Sequence, residues 1–272
     1  MDVNRYLERI GTAHPAQPNL TSLRALHRAH LLAISFENLD IQLGRTVTIE
    51  IPEICKKIVE NGRGGWCYEM NGLFGWALKE LGFRVTRATG AVMRQRSGDA
   101  AIGNHLVLRV DLEEGIYLAD VGFGDGPIEP IAVEPGTFSA HGFDFELARI
   151  DDTWWRLINR PADDAVSFDF NLDPADETLF AAKCHWLQTA PDSHFVQNAV
   201  CQRFTPEGLV ILRGRVLRTV TPQAVSERVL ESAGEYQSVI EKTFGLDIPE
   251  AASLWPRICA RHAEIFQEHK TT

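Results

Sequence analysis

Two glycines just ahead of a cysteine that opens an amphipathic helix constrain this chain more than any other feature. The stretch is Arg63-Gly64-Gly65-Trp66-Cys67-Tyr68-Glu69-Met70-Asn71-Gly72. Apolar residues fall at Met70, Leu73, Phe74, Ala77, Leu78 and Leu81, the i, i+3, i+4 stripe of a helix that buries one face. Gly82 follows and suits a left-handed C-terminal cap. The spacing places Cys67 at or near the helix N-terminus, where unpaired N–H groups and the macrodipole favour negative charge. A thiol there is expected to ionise more easily, and the thiolate is the nucleophile. Gly64 and Gly65 allow a tight approach to the helix. A small buried cysteine that only packs fits the same stretch. A base and an orienting acid elsewhere in the chain decide between the two.

Asn104 to Val110 reads as a strand with Leu106, Leu108 and Val110 on one face, and Gly115 to Val121 reads as the next. Asp111-Leu112-Glu113-Glu114 is then a four-residue hairpin loop. Pairing Val110 with Gly115 sets His105 directly opposite Asp120. Opposed residues of an antiparallel pair share a face and nearly touch. A carboxylate beside an imidazole fixes its tautomer and stabilises its protonated form. Cys67, His105 and Asp120 then have the nucleophile–base–orienter logic of a triad. A strand-end histidine and a turn aspartate before Gly122 are the plainer alternatives for the two partners.

With these residues in hand, the chain resembles the arylamine N-acetyltransferases, a family with a fold related to papain-like cysteine proteases and transglutaminases. The resemblance rests on Phe36-Glu37-Asn38-Leu39-Asp40, the Arg63–Asn71 block, His105 and Asp120-Val121-Gly122-Phe123-Gly124. Trp66 departs from the more usual Tyr or Phe, and Ile34-Ser35 precedes Phe36 where a Pro is common. The resemblance implies acetyl transfer from acetyl-CoA to an arylamine or hydrazine through an acetyl-Cys67 intermediate, with Gly124 along the path of CoA. It also implies an ion-pair cluster of Arg9, Glu37 and Arg63. Phe36, Phe123 and Phe195 are candidates for an acceptor pocket, with core packing the plainer role for each. The triad alone serves equally for a cysteine hydrolase or a transglutaminase-like transferase. A binding module with an unreactive Cys67 is the non-enzymatic alternative.

Thirty-seven acidic against 27 basic residues leave a net charge of −10, which argues against nucleic acid and anionic membrane surfaces as partners. No basic-then-apolar leader and no run of ~18 apolar residues is expected to act as a signal or a span. Five scattered cysteines fit reduced cytoplasmic thiols better than disulfides or a zinc site, so no metal is expected. Small-molecule partners and a monomer or homodimer complete the expectation.

The fold class read from the chain is α+β, in three parts. Residues 1–82 are a helical bundle, with Thr21 capping a second helix and Pro52 starting a third. Residues 83–190 are an antiparallel β-barrel of short strands, with an open sheet as the alternative. Residues 191–272 are an α/β lid, with strands 195–204 and 209–217 and a helix starting at Thr221-Pro222. A last helix runs from Trp255-Pro256 through Ile258, His262, Ile265 and Phe266. The phosphates of the CoA that the resemblance implies call for a cation, and Arg203, Arg213, Arg215 and Arg218 cluster in sequence, but alternation along a solvated strand explains them equally well and none is assigned as a site. The adjacent Cys184 and His185 read as structural.

Overall fold

The computed structural model describes residues 1–160 and 166–268. Helix α1 (Val3–Ile10) starts where the Asp2 carboxylate accepts from the Asn4 N–H and stops at Gly11, φ 68°. Helix α2 (Leu20–Ala33) is capped by Asn19, whose side chain accepts from the Ser22 N–H. The expected cap, Thr21, sits inside the helix because Asn19 supplies the acceptor two residues earlier. Short strand β1 (Phe36–Glu37) and the single turn α3 (Leu39–Gln42) follow. Helix α4 (Ile51–Cys55) takes Pro52 in its first turn and continues as a π-helical turn over Lys56–Glu60. Helix α5 (Cys67–Glu80) begins at the cysteine itself.

The large sheet is antiparallel throughout. Its strands are β2 (Arg84–Val92), β3 (His105–Leu112), β4 (Gly115–Ala119), β5 (Ile131–Ala132), β6 (Gly136–Ala140), β7 (Phe143–Arg149), β8 (Trp155–Asn159) and β9 (Val166–Pro174). They lie in the order β5-β4-β3-β2-β9-β8-β7-β6. Among the described residues the sheet ends on β5 and β6 and stays open, the alternative to the barrel expected. Closure needs every strand paired on both sides, and the two-residue β5 and the edge strand β6 do not pair with each other. Helix α6 (Arg94–Ser97) interrupts the polar loop before β3.

The β3–β4 hairpin differs from the expected register by two residues. Leu112, not Val110, pairs with Gly115, so the loop shrinks to Glu113-Glu114. A shift of two leaves every side chain on its own face, so His105 and Asp120 still share a face.

Helix α7 (Glu177–Thr189) replaces the strand character expected near the end of the central segment. Phe180, Cys184 and Leu187 are its buried stripe, and the Asp176 carboxylate caps it. Helix α8 (His194–Gln197) takes the place of the first half of the expected strand 195–204, capped by Ser193. The second sheet holds β10 (Val200–Thr205), β11 (Gly208–Arg213), β12 (Val216–Val220) and β13 (Val225–Val229), in the order β1-β10-β11-β12-β13. The expected strand 209–217 breaks at Gly214, φ 57°. Thr221-Pro222 starts no helix. Thr221 instead closes the β12–β13 turn, its N–H donating to the Ala224 carbonyl at 2.9 Å. Helix α9 (Ala233–Lys242) is capped by Ser232, and α10 (Trp255–Glu268) follows. Phe266, expected on the α10 stripe, lies outside the described side chains.

The main apolar core joins α1, α2 and α5 to the large sheet through residues such as Tyr6, Leu26, Phe74, Val107 and Phe168. A second core sits under α9 and α10, around Tyr236, Ile240 and Leu254, and includes Leu39 from the N-terminal segment. Strand β1 pairs with β10, so residues 36–37 belong to the second sheet. Among the described residues, no helix is long and apolar enough to cross a membrane.

Candidate active site

The Cys67 loop is held by backbone. Glu37 N–H donates to the Gly65 carbonyl at 2.9 Å, and Gly65 N–H donates to Ser35 O at 3.3 Å. A β-carbon on Gly64 would fall onto the Ser35 carbonyl oxygen, so only glycine allows this approach. Cys67 is then the first residue of α5, 3% exposed. Glu69 in the first turn accepts from the Trp66 N–H at 3.2 Å.

His105 opens β3 and Asp120 follows the end of β4. His105 Nε2 donates to Asp120 Oδ2 at 2.7 Å, and both residues are buried. This leaves Nδ1 of His105 for proton exchange. Asn71, one turn along α5 from Cys67, ties the helix to both strands. Its amide donates to Asp120 Oδ1 at 2.7 Å and to the Leu106 carbonyl at 2.6 Å, and its Oδ1 accepts from the Val121 N–H at 2.9 Å. His27 of α2 accepts from the Asp120 N–H at 3.2 Å and donates to the Ile128 carbonyl at 2.9 Å. Burial raises the Asp120 carboxyl, but the His105 charge and hydrogen bonds from His105, Asn71 and Gly122 outweigh it, and the net shift is down. Asp120 is therefore held ionised.

The Cys67 thiol departs from the sequence-based expectation. Burial pushes it up, and the charge of Asp120 adds to the effect. The backbone N–H groups of Tyr68 and Leu106 pull the other way and do not win. Sγ lies 3.9 Å from the Asn104 carbonyl, a partner for a protonated S–H. Burial therefore outweighs the helix N-terminus at this thiol.

A family profile described as N-acetyltransferase matches residues 19–253. The arylamine N-acetyltransferase of Mycolicibacterium smegmatis is 34% identical over 97% of this chain and 98% of its own length. That of Escherichia coli is 31% identical over 92% of this chain and 90% of its own. The chain belongs to the arylamine N-acetyltransferase family. The Mycobacterium marinum family member, solved in complex with CoA, superposes with a TM-score of 0.86 at 31% identity, covering 94% of this chain and 98% of that one.

The aromatic candidates of this acetyltransferase fall in two places. Phe36 and Phe195 share an apolar cluster with Cys67, Trp66, Tyr68 and Phe180. Phe195 stands edge-on to Trp66, ring centroids 5.0 Å apart. Phe123 meets His105 instead, at 5.8 Å, and packs on Phe168 at 4.8 Å. Phe168, itself 5.1 Å from the His105 ring, went unrecognised because β9 carries no motif. Gly124 has φ 84°, and Gln202 Oε1 occupies the place where its β-carbon would be. Cys184 of α7 also lies in the Cys67 cluster, and burial lifts its thiol to about 12.

The expected cluster of Arg9, Glu37 and Arg63 is only partly an ion pair. Arg63 meets Glu37 at 2.7 Å and Asp40 at 3.1 Å. Arg9 reaches neither carboxylate, but donates to the backbone carbonyls of Gly62 at 3.3 Å and Arg63 at 3.4 Å in the cysteine loop. It also donates to the carbonyls of Ala33 at 3.0 Å and Ile58 at 3.1 Å, fastening α1 by backbone rather than charge. Lys57 takes the expected place of Arg9, 2.9 Å from both Asp40 and Glu69. Burial lifts the Glu69 carboxyl to about 7 against the pull of Lys57. A single lysine on a π-helical turn gave no sequence signal for this role.

Proposed function

We propose that Cys67, His105 and Asp120 carry an acetyl group from acetyl-CoA to an arylamine or hydrazine by double displacement. The observation that supports this most is the His105–Asp120 contact at 2.7 Å, roped to the Cys67 helix by Asn71, in a chain of this family. His105 takes the Cys67 proton as the sulfur attacks the thioester carbonyl, which answers the raised thiol. The carbonyl carbon bonds to Sγ, the bond to CoA sulfur breaks, and CoA leaves with the proton from His105. The amine then attacks acetyl-Cys67, His105 accepts its proton, and Sγ leaves. Asp120 stays ionised and steadies the imidazolium. The Cys67 backbone N–H, which has no intrahelical acceptor as the first residue of α5, is the first candidate donor to the oxyanion.

A transferase has to keep water from its acyl-enzyme. Burial of Cys67 among Phe36, Trp66 and Phe195 supports that role, with Phe123 beside His105 as acceptor wall and Gly124 on the donor's path. In this reading 1–82 brings the nucleophile, 83–190 the base and carboxylate, and 191–272 the cover, in the manner of papain-like enzymes. A reduced thiol nucleophile suits the cytoplasm.

The test is CoA release from acetyl-CoA with and without an anisidine, for wild type and Cys67→Ala. Amine-dependent release lost in the variant is expected. Equal release without amine indicates a hydrolase and overturns the transferase reading.

A further inference from the structure

A cleft of about 600 Å³ opens between the second sheet and α8 and α10. Gln202, which lines it, is the residue whose side chain lies over Gly124. Two residues before Gly124, a β-carbon on Gly122 would sit 2.8 Å from Cys67 Cα. The cleft wall is thus one short loop away from the nucleophile.

The charge of the cleft runs against that of the chain. Among its described lining residues are five arginines against two carboxylates, in a protein of net charge −10. The two carboxylates are engaged, Asp125 with Arg160 and Glu227 with Arg218 at 3.2 Å. Arg257 is engaged by the backbone carbonyls of Gln42 and Val196. Arg213, the last residue of β11, pairs with no carboxylate among the described residues. Arg261 of α10 reaches Glu264 and Gln197 with its terminal nitrogens, but its buried Nε has no partner. His194 faces both. His194 is itself exposed, and partial desolvation against the cleft wall, then Arg213 and Arg261, lower its ring. Arg213, also exposed, is likewise lowered by partial desolvation and by Arg261. Cations gathered this closely repel one another until an anion sits between them.

We propose that Arg213 and Arg261, with His194 beside them, bind the phosphate-bearing end of the acyl donor, so that its thioester arm runs past Gln202 and Gly124 to Cys67. This rests on CoA being the donor. Guanidinium groups suit the purpose, because they meet phosphate oxygens with paired N–H donors.

The experiment compares acetyl-CoA with S-acetylpantetheine, which has the same thioester and no phosphate, on wild type, Arg213→Gln, Arg261→Gln and the double variant. CoA binding to each is read in parallel by calorimetry, which needs no turnover. Arg149→Gln, an exposed arginine on β7, controls for net charge. The expected result is KM for acetyl-CoA up about tenfold per variant, with CoA binding weakened to match. The preference for acetyl-CoA over S-acetylpantetheine falls by the same factor, and unchanged melting temperatures show that the variants fold. Equal losses with both donors, or CoA binding the same as wild type, overturn the proposal. A wild type that binds CoA through these arginines yet transfers no acetyl group overturns only the transferase reading.

Discussion

Asn71 and Asp120 are joined by a 2.7 Å hydrogen bond that runs from the Cys67 helix to the carboxylate behind His105. The same Asn71 side chain also holds Leu106 and Val121, so one buried residue sets the Cys67 helix, the His105 strand and Asp120 in mutual position. Asn71→Ala leaves an unfilled acceptor at Leu106 and an unfilled donor at Val121. A stability loss of about 2–4 kcal/mol is expected from urea unfolding. With Asp120 loosened, kcat is expected to fall by about tenfold or more while KM for acetyl-CoA stays near wild type.

Burial pushes the Cys67 thiol up, so the proposed mechanism assigns His105 the task of taking its proton. Iodoacetamide at pH 7 is expected to label Cys67 ahead of the half-buried Cys259 in the wild type. In His105→Gln the order reverses, with Cys67 labelling slowed by about tenfold or more. Peptide mapping of the labelled protein reads both rates. Equal Cys67 rates in the two proteins would remove His105 as the base.

Acid stability should follow His27. Burial pushes its ring down to about 4, against about 6.5 in an unfolded chain. The unfolded state therefore takes the proton first. Stability is full above about pH 6.5, falls on acidification, and has lost about 3 kcal/mol from this group by pH 4. His30, also lowered by burial, acts in the same direction. Asp120, whose shift is downward, contributes only below the ordinary carboxylate range. Urea midpoints at pH 7.5 and pH 5 should converge in His27→Gln relative to wild type.

Lys57 is the counter-ion of a buried acidic nest. Lys57→Met leaves Glu37 and Asp40 to Arg63 and Arg45 and takes away the cation that Glu69 meets, and a loss of about 3 kcal/mol is expected from chemical unfolding. Protonation of Glu69, already near 7, should recover part of the loss as pH falls from 8 to 6.

Two glycines should rank by what stands in the way. Gly64→Ala drives a β-carbon into the Ser35 backbone, which cannot move without opening the Cys67 loop. Gly124→Ala meets the end of the Gln202 side chain and, less tightly, the Phe36 ring at 3.3 Å, besides a left-handed backbone cost of about 1–2 kcal/mol. Thermal unfolding should show Gly64→Ala as the larger loss. Gln202→Ala should relieve part of the Gly124→Ala defect and none of the other.

Local rules were enough for what is local. The apolar stripe and Gly82 set out α5, the alternation of Leu106, Leu108 and Val110 set out β3, and their spacing brought Cys67, His105 and Asp120 into view. The hairpin register erred by two residues without harm, since an even slip preserves the face. What depended on competing local signals was decided in three dimensions. Asn19 displaced Thr21 as a cap, and Ser232 rather than Thr221 opened the helix after the last strand. The stripe of α7 was legible in Phe180, Cys184 and Leu187, but was masked by the strands around it. Burial belongs wholly to the tertiary structure. A helix N-terminus favours a thiolate, yet desolvation by the packed second sheet and α7 outweighs it at Cys67. For the same reason no local pattern assigned Asn71, Lys57 or the Arg213–Arg261 pair, whose partners come from distant segments of the chain.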